Sequence, residues 1–169
     1  MSYTWVLDDD TYLVKPTIIE LPNFPTHVRV VKASKKTGLP VYKRINIQSM
    51  GDRFSKGAVV KAVSEYLDAK IPKSERVWNR VAYISMHVEG PNNLGTINVD
   101  TEGYYKDTKA TRWDLDNLCN GWYKWLIDAL VKKGYFVDDN IHYIRGYSAT
   151  FQETESIEDR KITITIWSE

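Results

Sequence analysis

Between Leu115 and Leu130, apolar side chains recur at intervals of three and four: Leu115, Leu118, Trp122, Trp125, Leu126, Ala129 and Leu130. This spacing predicts a helix with one stripe to bury, and it leaves Asn117, Asn120, Lys124 and Asp128 on the other side. Gly134, following Lys132 and Lys133, supplies the stop. The two cations suit the negative end of the helix dipole, and glycine accepts the left-handed conformation that ends many helices. Tyr135-Phe136-Val137 then leads the chain back toward the helix start.

Each end of this helix carries a pair of acids: Asp114 and Asp116 at its start, Asp138 and Asp139 after its end. On a continuous helix, residues two apart point to nearly opposite sides, whereas in extended chain they share a side. Asp114 and Asp116 therefore converge on one ion only if Asp114 precedes the helix and Asp116 lies in its first turn. A helix N-terminus suits that arrangement, because its free N–H groups and positive dipole end tolerate anions. Carboxylates gathered without Cys or His fit a hard cation such as magnesium. By itself, Asp-x-Asp-Asn at a helix start is also a common capping arrangement. An EF-hand calcium loop is excluded, since positions five, six and twelve counted from Asp114 are Leu118, Cys119 and Trp125. His27, His87 and His142 stand at unrelated spacings and read as ordinary strand residues, not zinc ligands.

The rest of the chain alternates strands and helices. Ser2 to Leu13 reads as a peripheral strand or arm with a solvated acidic turn at Asp8-Asp9-Asp10, and Thr17 to Leu21 as a strand stopped by Pro22 and Pro25. His27 to Ala33 and Val41 to Gln48 form a hairpin around residues 35–40. Ser55 caps a helix running to about Ala69, with Val59, Val63, Tyr66 and Leu67 inward, and Pro72 prevents its continuation. Val81 to Val88 is a strand, residues 89–109 a polar excursion, and Ile141 to Gln152 and Lys161 to Trp167 two closing strands. The last sets Ile162, Ile164 and Ile166 on one face and Thr163 and Thr165 on the other. The expected architecture is α/β (α+β): one domain over residues 1–169, a mixed β-sheet packed against two main helices.

A length of 169 residues, 43% hydrophobic and 27% charged, suits one soluble domain with a sizeable core. The lone Cys119 excludes an internal disulfide and fits a reducing compartment. No signal peptide, transmembrane run or repeat is visible, so a cytoplasmic protein is expected. Net charge is only +1, yet residues 27–61 hold nine cations against Asp52 alone, a local +8 that leaves −7 elsewhere. Lys35, Lys36, Lys43 and Arg44 belong to this basic hairpin and helix region, which beside an acidic site reads as a surface for backbone phosphates. Lys109 and Arg112 flank the first acidic pair and could anchor further phosphates; Trp113 is either buried or a stacking surface for a base. From the residues alone, the chemistry is metal-assisted phosphodiester hydrolysis.

The acidic pairs and the helix between them resemble the RusA-type Holliday junction resolvases of bacteria, phages and prophages. The shared pattern reads Asp114-Leu115-Asp116-Asn117, then Lys124, then Asp128-Ala129-Leu130, then Asp138-Asp139 after Gly134-Tyr135. Residues 18–25 and 160–167 resemble the opening and closing strands of the family, although the likeness is specific only over residues 112–141. It implies a homodimer that cuts four-way DNA junctions by paired nicks leaving 5′-phosphates. Asp114, Asp116 and Asp139 would be the catalytic carboxylates and hold Mg2+, or Mn2+ in its place; Asp138 would be a further ligand or orient one, and Lys124 would steady the transition state. Four extra residues separate Asp116 from Lys124 relative to the family pattern. If the helix is unbroken from Leu115, Lys124 lies about 12 Å of rise beyond Asp116, and Asn120 takes the family lysine's place. If the insertion is a loop around Asn120-Gly121, Lys124 returns to the site; this reading is preferred because it keeps the acidic pairs together. The aromatic helix face and an exposed final strand are the expected dimer surfaces. Two alternatives stand beside the resolvase: a catalytically silent branched-DNA-binding accessory protein, and a nuclease for flaps or forks.

Overall fold

The computed structural model describes residues 6–7, 13–31, 35, 38, 40–45, 56–75, 77–78, 81–91 and 115–168. The closing strand β8, Lys161–Ser168, with its alternating isoleucines, lies inside the main sheet. Ile162, Ile164 and Ile166 are all almost wholly buried on one face. β8 pairs antiparallel with β3, Thr17–Pro22, on one side and with β6, Ala82–Gly90, on the other. β7, Ile144–Glu153, completes the sheet by running parallel to β6, giving the order β3-β8-β6-β7. The mixed sheet expected from the sequence is thus present. Hydrogen-bonded along both sides, however, β8 has no free edge to offer a second copy, which removes it as an exposed dimer strand.

Two antiparallel ribbons stand outside this sheet: β1, Val6–Leu7, with β2, Leu13–Val14, and β4, His27–Val31, with β5, Val41–Arg44. The second is the basic hairpin, with an irregularity in register between Arg29 and Val31. The acidic turn 8–10, the cap residue Ser55 and the polar excursion from residue 92 onward lie outside the described residues.

Helix α1, Lys56–Lys70, buries Val59, Val63 and Leu67, and helix α2, Leu115–Lys132, buries Leu118, Trp122, Trp125, Leu126 and Leu130. These side chains share one hydrophobic core with Ile19, Leu21, Ile84, Met86 and Val88 from the sheet. Fully burying each such side chain stabilises the fold by roughly 1.5–3 kcal/mol. Trp122 is the hub: its ring meets Phe24, Tyr66 and Trp125 edge to face, at centroid distances of 5.6, 6.1 and 5.9 Å. The aromatic helix face is therefore core and not a dimer surface. Leu115, at the stripe's first position, is 40% exposed, while Cys119 and Ile127 are buried beside the stripe.

α2 stops where the glycine predicts. Gly134 has φ +82°, its N–H donates to the Val131 carbonyl, and the Tyr135 N–H donates to the Leu130 carbonyl. This is the Schellman arrangement, with Tyr135 and Leu130 both buried. Lys132 and Lys133 reach across to Asp68 of α1, each at 3.2 Å, and tie the two helices at that end. Among the described residues, no helix is long and apolar enough to cross a membrane.

Candidate active site

Helix α2 is continuous through Asn120-Gly121, and Gly121 is buried within it. The loop reading of the insertion is thereby corrected: burial of the flanking Cys119 and Trp122 overrides the turn tendency of the dipeptide. Asp116, Asn120, Lys124 and Asp128 form an exposed stripe, each one turn from the next, rising about 6 Å per step. Asn120 stands one turn from Asp116, and Lys124 stands two.

The second acidic pair nevertheless meets this stripe. Lys124 Nζ lies 2.8 Å from Asp128 Oδ1 and 3.1 Å from Asp139 Oδ2. The hydrogen bond from Lys124, and then its charge, hold the Asp139 carboxyl below the ordinary carboxylate value, while the bonds to Asp128 and then Asp139 raise the lysine. Asp138 shapes the turn that presents Asp139. Its Oδ1 accepts the Asp139 N–H and its Oδ2 accepts from Asn140 Nδ2, both at 2.8 Å. Asn140 Oδ1 in turn accepts the His142 N–H at 2.9 Å, and the Asn140 carbonyl accepts from Tyr143 and Ile144, where β7 begins. Residues 141–143, expected in the strand, are spent on this turn.

A third contribution comes from β7. Tyr147 stacks on Tyr123 of α2, with centroids 3.9 Å apart and planes 19° from parallel, and its hydroxyl donates to Asn120 Oδ1. Burial, Tyr147 and Asp139, in that order, raise the Tyr123 phenol. Burial first, and Asp116 second, push the Cys119 thiol up to about 12, so it stays protonated and takes no nucleophilic part.

Of the residues singled out from sequence, Lys124, Asp139 and Asp138 come together, and Asp116 lies on the same helix stripe. Asp114, Arg112, Lys109 and Lys36 lie outside the described residues, as does the side chain of Arg44. Lys35 and Lys43 are exposed on the basic hairpin. Among the described residues, no three His, Cys, Asp or Glu side chains gather closely enough to hold one ion. The donor chemistry does fit a hard cation: the carboxylates are exposed, and Asp139 already takes the Lys124 ammonium as a cationic partner. His87 Nδ1 contacts Thr150 Oγ1 at 2.7 Å and His27 Nδ1 contacts Thr26 Oγ1 at 3.0 Å, the local partners expected of strand histidines.

The sequence pattern includes Asp128 without a role for it, and gives Tyr123 and Tyr147 no place in this site. Asp128 was detectable, being a carboxylate one turn beyond a lysine. Tyr147 carried no local signal, because its partners lie more than twenty residues away. No protein-family model matches this chain, and no curated protein matches it either.

Proposed function

We propose that this chain is a metal-dependent endonuclease for branched DNA, of the Holliday junction resolvase type, working in the bacterial cytoplasm as a homodimer. The observation that carries the reading is the docking of Lys124 on Asp139. It sets the second acidic pair against the helix whose first turn carries Asp116.

Asp114, Asp116 and Asp139 would hold Mg2+, or Mn2+ in its place, which when bound polarises the scissile phosphate and makes water a nucleophile near neutral pH. Asp138, with both carboxylate oxygens engaged in the turn, orients Asp139. Lys124 keeps its proton and offsets the negative charge that develops on the phosphate. Asp128 holds the lysine from below, one turn further along the helix. Water attacks phosphorus and the P–O3′ bond breaks, leaving a 5′-phosphate and a 3′-hydroxyl on the two sides of a nick in one strand. The basic region 27–61, with Lys35, Lys36, Lys43 and Arg44, supplies phosphate contacts that carry affinity without reading bases. A second copy related by a two-fold axis would cut the symmetric strand.

The substitution Asp116→Asn separates chemistry from binding. Cleavage of a four-way junction is expected to vanish while junction affinity, measured by gel shift in calcium, stays within about threefold, because phosphate contacts dominate affinity. Equal loss of both would remove Asp116 from the chemistry.

A further inference from the structure

Strand β7 carries a β-bulge immediately after the acidic turn. Ala82 pairs with Ile144 and Tyr83 pairs with Gly146, so Arg145 is the extra residue. A bulge re-aims the side chains that follow it. Ile144, opposite Ala82, faces the core; without the bulge, Gly146 would come next on that face. With it, Tyr147 pairs with Ile84 and turns toward the helices. There its ring stacks on Tyr123 and its hydroxyl reaches Asn120.

We propose that Tyr147 is a positioning residue for the carboxylate site, latching β7 and the acidic turn before it onto the helix that carries Asp116. The role rests on the nuclease reading above. Asn120 and Tyr123 are four and seven residues beyond Asp116, on the side of α2 that Lys124 and Asp139 share. Asp139 lies eight residues upstream of Tyr147, joined to it by the hydrogen-bonded turn. Relative placement of the two carboxylate carriers thus depends on what ties α2 to the start of β7. Among the described residues, the Lys124–Asp139 ion pair and the tyrosine latch cross that gap. Exposed ion pairs hold geometry weakly, because long side chains and water compete with them. A stacked ring whose hydroxyl is also hydrogen-bonded has its position and orientation both fixed. Tyr123 directly precedes Lys124, whose ammonium lies 3.1 Å from Asp139, so the latch stands beside the acid it steadies.

The test is Mn2+ binding by titration calorimetry for the wild-type chain, Tyr147→Phe and Tyr147→Ala, with the Mg2+ dependence of junction cleavage measured in parallel. Tyr147→Phe keeps the stack and loses only the hydrogen bond, so it stays informative if the alanine variant folds poorly. Loss of a residue that orients metal ligands costs about 10–100-fold in affinity or activity. Tyr147→Ala is expected to lose at least about tenfold in Mn2+ affinity and to raise half-saturating Mg2+ by a similar factor, with Tyr147→Phe between it and wild type. Wild-type affinity in a well-folded Tyr147→Ala variant, or in Tyr147→Phe alone if alanine unfolds, would overturn the latch and leave the nuclease reading intact. No Mn2+ binding by the wild-type chain would overturn the nuclease reading, and the latch with it.

Discussion

Lys124 stands between the carboxylates of Asp128 and Asp139, and its hydrogen bond and charge govern Asp139. Asp139 titrates below its ordinary value when folded, so its share of stability is present above the unfolded pKa and fades as pH falls through the depressed one. Lys124 titrates above its ordinary value, so its share is present below the unfolded pKa and is lost as pH rises through the raised one. The pair is therefore charged from below the usual carboxylate range to above the usual lysine range, and neither member shapes a pH profile near neutrality. In Lys124→Met the Asp139 carboxyl should titrate higher, back toward the ordinary value, which a carboxyl-carbon NMR titration reads directly. An unmoved Asp139 would mean that the ion pair does not form in solution.

Helix α2 was legible from its spacing because burial obeys periodicity: Leu118, Trp122, Trp125, Leu126 and Leu130 are all in the core. Its end was legible because a positive φ is unfavourable for any residue with a Cβ. Gly134→Ala should lower stability by about 1 kcal/mol, measured by urea denaturation, with no crowding to add to the cost since open space surrounds the new methyl. Trp122→Ala should cost about 3–5 kcal/mol by leaving a cavity among three rings. Trp122→Phe should cost less, since the buried indole N–H has no hydrogen-bond acceptor among the described residues. The continuity of the helix through Asn120-Gly121 was not legible, because tertiary burial decided against a local turn tendency. Nor was the face that Tyr147 presents: strand phase flips with one residue, and Gly146, beside Arg145, hints at a bulge without fixing which residue is the extra one.

At the scale of the molecule, alternation along β3 and β8 and helical spacing in α1 and α2 disclosed the layered α+β fold. The order of its strands was not disclosed, because a parallel β6–β7 pair and a central closing strand depend on crossovers that no local pattern records. Charge follows a similar division of labour, with cations concentrated in residues 27–61 and the acidic pairs placed around α2. Replacing Lys35 and Lys36 together by Ala should weaken junction binding and reduce the salt slope of log K by about 2, at roughly 0.9 for each phosphate no longer neutralised. An unchanged slope would make that hairpin ordinary solvated surface.

Metal-dependent cutting at a branch point is read by cleavage of a labelled synthetic four-way DNA junction in magnesium and in chelator. Linear duplex and flap substrates run beside it. Paired, symmetric nicks near the crossover, dependent on the metal and absent on linear duplex, are the expected result. Junction binding with no cutting in magnesium or manganese would contradict it.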